Sequence, residues 1–374
     1  MLAKAIRACR RMGEFFGDAS WPTRLNTARS IAGALSKTPD PVPPLRLQIE
    51  VTTRCNINCI MCSRSMYARS KQNNELKLGD MSPALYDKVS DLTKHAQETV
   101  LFGYGEPLVS RAFYDLLPRI HSSRFGFFTN GMAMTPKLLD RIRSMTKSTL
   151  SSVVFSIDGG TKETFERIRA QASFERVFGN LKALADYRRE KGLDFELRVS
   201  CVAMLDNIRE LPQLFDHADN AGADLLHVKH LVADSETFRN QCLFYHKEEC
   251  RNAFARAKAH AAGRRMRLDL PYDFSGRETA DNPPNCRVPW IYTMVSFDGD
   301  VRACCFATED LMTMGSLNES TFEEIWHNKK YHALRKSFHG GKGFPRCMEC
   351  ENRFRSVPSP SDEATYVKIE PGRK

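Results

Sequence analysis

Three of the chain's twelve cysteines fall in one short segment, Cys55-Asn56-Ile57-Asn58-Cys59-Ile60-Met61-Cys62. The spacing is Cys-x3-Cys-x2-Cys. Three thiolates on one loop can each bind one iron of a cubane [4Fe–4S] cluster. No fourth ligand lies nearby, so one iron would keep an open position for an external chelating molecule. Chance spacing or zinc is the alternative, but structural zinc normally takes four ligands with paired Cys-x2-Cys or His partners. A second set is spread along the C-terminal part: Cys286, Gly299, Cys304 and Cys347-Met348-Glu349-Cys350. It reads Cys-x17-Cys, a long gap, then Cys-x2-Cys. Four thiolates suffice for a complete cube, and a four-cysteine zinc site is the competing reading. Cys305 competes with Cys304 as a ligand. Cys9, Cys201, Cys242 and Cys250 lack partners at ligand spacing and read as ordinary thiols.

These residues need a scaffold. With 374 residues, the chain allows two or three domains. Its 42% hydrophobic and 27% charged residues exclude whole-chain disorder and collagen-like structure. No apolar run is long enough to span a membrane. Arg7, Arg10 and Arg11 interrupt the place where a signal peptide would keep its apolar core. A reducing cytoplasm, where clustered cysteines hold metal, is the expected compartment.

Residues 1–44 read as a helical extension and a linker. Trp21, Leu25, Ala28, Ala32 and Leu35 form an apolar stripe that would dock on a larger body, and Pro39, Pro41, Pro43 and Pro44 end it. From Leu45 strands alternate with helices. Strand candidates are Leu45–Val51, Thr99–Phe102, Phe125–Phe128, Val153–Ile157, Phe195–Val202 and Leu225–Lys229. Helices start at Ser82-Pro83, Arg111, Thr135-Pro136, Ser173 and Ile208, several with a capping residue or a first-turn proline. This alternation predicts a parallel α/β sheet with its chemistry at the C-terminal strand ends. Residues 45–231 form that core and 232–285 a bridge with one helix near 247–262. Residues 286–355 form a small cysteine-rich domain, and 356–374 a tail.

The cysteine loop after a first strand resembles the signature of radical S-adenosylmethionine (SAM) enzymes, and the likeness runs along residues 45–230. It implies a partial (β/α)6 TIM-like barrel. It also implies that SAM chelates the open iron and is cleaved by one electron to a 5′-deoxyadenosyl radical that removes hydrogen from substrate. Gly103-Tyr104-Gly105-Glu106-Pro107 follows the second strand and resembles the family's Gly-Gly-Glu-Pro motif. Gly105, Glu106 and Pro107 would approach SAM, with Glu106 accepting from its ammonium. Tyr104 stands where the first motif glycine would be. Asn130, within Thr129-Asn130-Gly131, and Ser156 and Asp158, within Ser156-Ile157-Asp158-Gly159, would complete the SAM site, the latter two at the ribose. Arg169 would pair with the SAM carboxylate. Arg167 is a competitor, and Val202 and Met204 could pack on the adenine. The Cys-x12-Gly-x4-Cys segment resembles SPASM and twitch domains, β-hairpin and helix modules for auxiliary clusters. No cysteine follows Cys350, so one auxiliary [4Fe–4S] cluster is expected beside the SAM-bound one.

The expected reaction is oxidation of a sugar- or aminocyclitol-type small molecule, with the auxiliary cluster accepting an electron. The layout is most similar to twitch-type aminocyclitol dehydrogenases. Arg264, Arg265 and Arg267 would tolerate phosphorylated or nucleotide-linked sugars. Alternatives are radical modification of a peptide or protein residue and redox-neutral epimerisation. No winged-helix-like peptide-binding segment is visible in residues 1–44. The formal net charge of +10 would suit an acidic flavodoxin- or ferredoxin-type electron donor. Basic residues interleaved with aromatics along one face are not found, so nucleic acid is not an expected partner.

Overall fold

The computed structural model describes residues 21–65, 78–233, 236–274, 286–304, 312–339, 344 and 347. The expected tail, Cys9, Cys305 and Cys350 lie outside the described residues.

Parallel strands need crossovers, and the helices between them supply those. The core runs β1 (Arg46–Ile49), α2 (Pro83–Thr93), β2 (Glu98–Leu101), α3 (Arg111–Leu116), β3 (Arg124–Thr129), α4 (Pro136–Ser144) and β4 (Thr149–Ser156). It continues with α5 (Lys162–Ile168), α6 (Phe174–Glu190), β5 (Glu196–Ala203), α7 (Leu211–Asn220) and β6 (Leu225–His230). Before it stands α1 (Trp21–Ser36). After it come α8 (Lys247–Ala261), β7 (Arg267–Asp269), β8 (Tyr292–Val295), β9 (Asp300–Arg302), β10 (Thr313–Ser316), α9 (Phe322–Trp326) and α10 (Lys329–Ser337). Local chemistry sets several boundaries. The Thr135 hydroxyl accepts from Leu138 N–H, with Pro136 in the first turn. Thr321 and Glu324 form a reciprocal capping box at α9. Pro118 tightens the end of α3 into a 3-10 turn over Leu117–Arg119.

The ten strands form one sheet in the order β10-β9-β8-β1-β2-β3-β4-β5-β6-β7. Strands β1 to β7 are parallel neighbours, so the core is a curled, partial barrel with open edges. Its outer layer is filled by helix faces such as Val177, Leu181 and Leu184 of α6, all fully buried. The cysteine-rich C-terminal part does not form a separate sheet. Strand β8 pairs parallel with β1, Arg46 opposite Tyr292 and Ile49 opposite Val295. The β8–β9 hairpin turns at Gly299, whose φ of +93° suits glycine.

The N-terminal helix differs from the expected stripe. Leu25 and Leu35 are 48% and 69% exposed, and Ala28 and Ala32 are exposed too. Thr27, Ser30 and Ala34 face the body instead. Polar bonds orient this face. Asn26 Nδ2 donates to the His95 carbonyl at 2.8 Å and the Ser30 hydroxyl to the Pro43 carbonyl at 3.1 Å. Hydrogen bonding to the linker and the α2–β2 loop, not apolar periodicity, decides which side docks.

The linker is in turn fixed by a buried guanidinium. Arg335 of α10 donates to the carbonyls of Pro39 (3.2 Å), Pro289 (3.1 Å) and Trp326 (2.8 Å). It stacks over the rings of Trp326 and Tyr331. Burial lowers its pKa to about 10, which leaves it charged at neutral pH. Arg335→Leu leaves three carbonyls short of a donor and is expected to cost about 3 kcal/mol, read as a lowered urea midpoint.

Candidate active site

The cysteine loop begins where β1 ends. Thr52 and Thr53 anchor its entry: Thr53 N–H donates to the Gly79 carbonyl and Arg54 N–H to Thr52 Oγ1, both at 2.9 Å. Its far side is sewn to the end of α5. Asn58 N–H donates to the Ala170 carbonyl and Ile60 N–H to the Ile168 carbonyl, each at 2.9 Å. Arg64, nearly buried, donates from Nη2 to the Ile57 carbonyl at 2.6 Å and to Asn58 Oδ1 at 3.1 Å. Cys55, Cys59 and Cys62 thereby border one cavity of ≈ 420 Å³ at the C-terminal ends of the strands. Burial raises the Cys59 thiol to about 11 and also raises Cys55. These thiols become thiolates only beside compensating positive charge, as a cluster's irons provide. The donor set therefore fits a three-cysteine cluster site.

Gly105 and Glu106 face the loop from the β2 side. A Cβ at position 105 would lie 2.4 Å from the Thr52 carbonyl oxygen and 2.6 Å from that of Arg54, so only glycine permits this approach. Glu106 N–H donates to the Arg54 carbonyl at 2.8 Å. The Glu106 carboxylate is 2% exposed. It accepts from Asn130 N–H at 2.6 Å and from the Thr129 hydroxyl at 2.8 Å. Burial nevertheless raises its pKa to about 7. Asn130 Nδ2 donates to Asn56 Oδ1 at 2.8 Å, linking this wall to the cysteine loop. Pro107 is buried, opens a 3-10 turn and does not border the cavity.

On the opposite wall Ser156, Ser200 and Val202 line the cavity, and Met204 is fully buried in the core. Asp158 is placed differently from a ribose contact: its side chain is fully buried and does not reach the cavity. Its Oδ1 accepts from Val202 N–H at 2.7 Å, and its Oδ2 lies 2.6 Å from Arg169 Nη2. Arg169 borders the cavity with Nη1 3.7 Å from Cys59 Sγ, and Asp158 already balances its charge. Arg167 pairs with Asp206 at the surface. The basic run is also neutralised. Arg264 pairs with Asp219 at 2.8 Å, Arg265 lies 3.7 Å from Asp224, and Arg267 pairs with Glu196; none borders the cavity.

Three residues had no sequence motif to mark them. Asn207 ties Asp158 to β5 by donating to the Asp158 and Val202 carbonyls, both at 2.9 Å. Glu50, 2% exposed, accepts from Tyr104 N–H at 2.8 Å. Lys229 stands on the strand closest to the cavity's far side. A charged residue on a β-strand can serve either face, so only the pairing register places Lys229, while Asn207 and Glu50 are placed by backbone partners distant in the chain.

Cys286 precedes a helical turn at 288–291, and its sulfur accepts from Val288 N–H at 3.4 Å. Cys304 follows β9, and Cys347 N–H donates to the Phe344 carbonyl at 2.8 Å. All three are half-buried, as cluster ligands at a domain's edge would be.

Comparison with known proteins agrees with this arrangement. The radical SAM superfamily model matches residues 49–218, and that of the SPASM iron–sulfur cluster-binding domain matches residues 286–351. The chain belongs to the radical SAM superfamily and carries a C-terminal SPASM domain. Its cofactors are SAM and two [4Fe–4S] clusters. It is 25% identical over 334 residues to the tungsten-containing aldehyde ferredoxin oxidoreductase cofactor-modifying protein of Pyrococcus furiosus, covering 82% of this chain and 87% of that one. It is 26% identical over 298 residues to the mycofactocin maturase of Mycobacterium ulcerans, covering 76% and 75%. The fold matches SuiB of Streptococcus suis bound to SAM with a TM-score of 0.58 at 15% identity, over 84% of this chain and 70% of that one. Among the described residues no helix is long and apolar enough to cross a membrane.

Glu106 gives the site a pH signature. Its folded pKa, about 7, lies above the ordinary 4.5, so between these values the folded chain binds the extra proton. Its contribution to stability is present below 4.5 and is lost as pH rises through about 7. Urea midpoints of the cofactor-free chain at pH 5 and pH 8 should show wild type losing ground to Glu106→Gln at the higher pH.

Proposed function

We propose that this chain oxidises a small polar molecule of the sugar or aminocyclitol type by two electrons, carbinol to ketone being the simplest case. The observation that carries this is the convergence of Cys55, Cys59, Cys62, Glu106, Asn130 and Ser156 on one cavity at successive strand ends. When bound, the cofactors supply one-electron cleavage of SAM, hydrogen-atom removal from a substrate carbon and an acceptor for the remaining electron. The chain's own residues do the positioning. Cys55, Cys59 and Cys62 would hold the SAM-binding cluster through their thiolates. Glu106, ionised once an ammonium stands beside it, would accept from the amino group of SAM. Asn130 keeps the cysteine loop and the Glu106 carboxylate in register. Ser156 offers a hydroxyl on the wall opposite Glu106. Arg169 places positive charge beside the Cys59 sulfur. Cys286, Cys304, Cys347 and Cys350 hold the auxiliary cluster.

An acidic flavodoxin- or ferredoxin-type donor would dock on the positive surface. A second reading, radical modification of a peptide or protein residue, is favoured by the several relatives named mycofactocin maturase and by one named a peptide cyclase. The products separate the two: a released small ketone or a mass change in a copurifying peptide.

Anaerobic reconstitution should give about eight irons per chain, falling to about four in a Cys55/Cys59/Cys62 triple alanine variant. The wild type under strong reductant should form 5′-deoxyadenosine and the triple variant none. Four irons in both proteins would refute the assignment of two cubes.

A further inference from the structure

Lys229 lies on β6, opposite Val202 of β5 in the parallel ladder. Residues paired in this way point to the same face of a sheet, and both border the cavity above the cysteine loop. The Lys229 ammonium lies 5.9 Å from the centre of the Phe128 ring, which belongs to β3. β3 and β6 are three strand positions apart, roughly 14 Å in a flat sheet. The side chain therefore reaches across the curl, and its charge stands at the far side of the cavity.

Among the described residues this ammonium makes no hydrogen bond and no ion pair; the ring of Phe128 is its partner. Its neighbour His227 gives no negative charge, and Lys229 disfavours its protonated form. The other cations of the cavity wall are already engaged. Arg169 is balanced by Asp158 at 2.6 Å, and Arg64 is held by the Ile57 carbonyl. A half-buried cation facing a cavity without a counter-ion is partly desolvated and uncompensated, a state that an incoming anion relieves.

We infer that Lys229 anchors an anionic group of the substrate, a carboxylate or a phosphate, opposite the cysteine loop. This rests on the oxidative reading above and narrows it to acidic or phosphorylated substrates. It also moves the anion contact from the arginine run at 264–267, whose charges are paired outside the cavity, to the interior of the barrel. Phe128 beneath the ammonium limits its swing and favours a ligand that meets it from the cavity side.

The test titrates inorganic phosphate and acetate into anaerobically reconstituted holoenzyme by calorimetry, with and without saturating SAM. Wild type, Lys229→Met and Lys229→Arg are compared, with thermal midpoints as a check on folding. Wild type should bind at least one of the two anions, Lys229→Met should bind it about tenfold more weakly, and Lys229→Arg within about threefold of wild type. Prior SAM should leave the anion affinity unchanged. Equal binding by wild type and Lys229→Met overturns the proposal, as does binding of neither anion by wild type. Displacement of the anion by SAM also overturns it, because the ammonium would then serve the carboxylate of SAM itself. Deoxyadenosine formation by the same wild-type preparation tests the radical reading separately. Its failure alongside Lys229-dependent anion binding would sink that reading and leave the anion site standing.

Discussion

The geometry of the cysteine loop depends on a buried ion pair. Asp158 is fully buried just past the end of β4, and Arg169, the residue that caps the C-terminus of α5, places its guanidinium 2.6 Å from the carboxylate. Burying either charge alone would cost several kcal/mol. Together they lock the segment at 168–170, whose carbonyls receive the N–H groups of Ile60 and Asn58. The same guanidinium reaches Cys59 Sγ at 3.7 Å. One pair thus fixes where the loop sits, while burial keeps the Cys59 thiol well above its ordinary pKa, an effect that Arg169 opposes and Asp158 adds to. Asn207 closes the arrangement by binding the backbone of Asp158 and Val202. A loop rich in cysteine and poor in regular structure is then held on this side by the α5 end and on the other by Glu106 and Asn130.

The sheet ties this centre to the auxiliary domain. Because β8 runs parallel to β1, the Ser296–Gly299 turn lies at the same end of the sheet as the cysteine loop. Glu50, just past β1, accepts from Tyr104 N–H and donates its own N–H to the Val295 carbonyl, so the Gly-Tyr-Gly-Glu-Pro loop and β8 meet on one residue. Cys286 and Cys304 flank the opposite end of the β8–β9 hairpin.

Much of this was legible in the sequence because its signals are local. Cysteine spacing, the Gly105-Glu106-Pro107 run, the first-turn Pro83 and the caps at Thr135 and Ser173 act over a few residues, and the strands they punctuate fall within a few positions of expectation. What was not legible depends on distant partners. Asp158 has the side chain expected of a ribose contact, but it is buried against Arg169 and Val202 N–H and does not border the cavity. Leu25, Ala28, Ala32 and Leu35 of α1 are apolar yet face outward because Asn26 and Ser30 find carbonyls on the other side. The arginines at 264–267 look available until Asp219, Asp224 and Glu196 are brought to them by α7 and β5. The continuity of the hairpin with β1 carries no local mark at all, since a short strand such as Tyr292–Val295 reads the same in an isolated domain.

The central claim is that the cluster held by Cys55, Cys59 and Cys62 keeps one iron open to the cavity, where the amino group of SAM binds it beside Glu106. Electron–nuclear double resonance on the reduced holoenzyme, with SAM labelled by nitrogen-15 at the amino group, tests this most directly. The account predicts a nitrogen-15 coupling to the cluster that disappears when SAM is left out. A cluster signal with no coupling to the labelled nitrogen would contradict it.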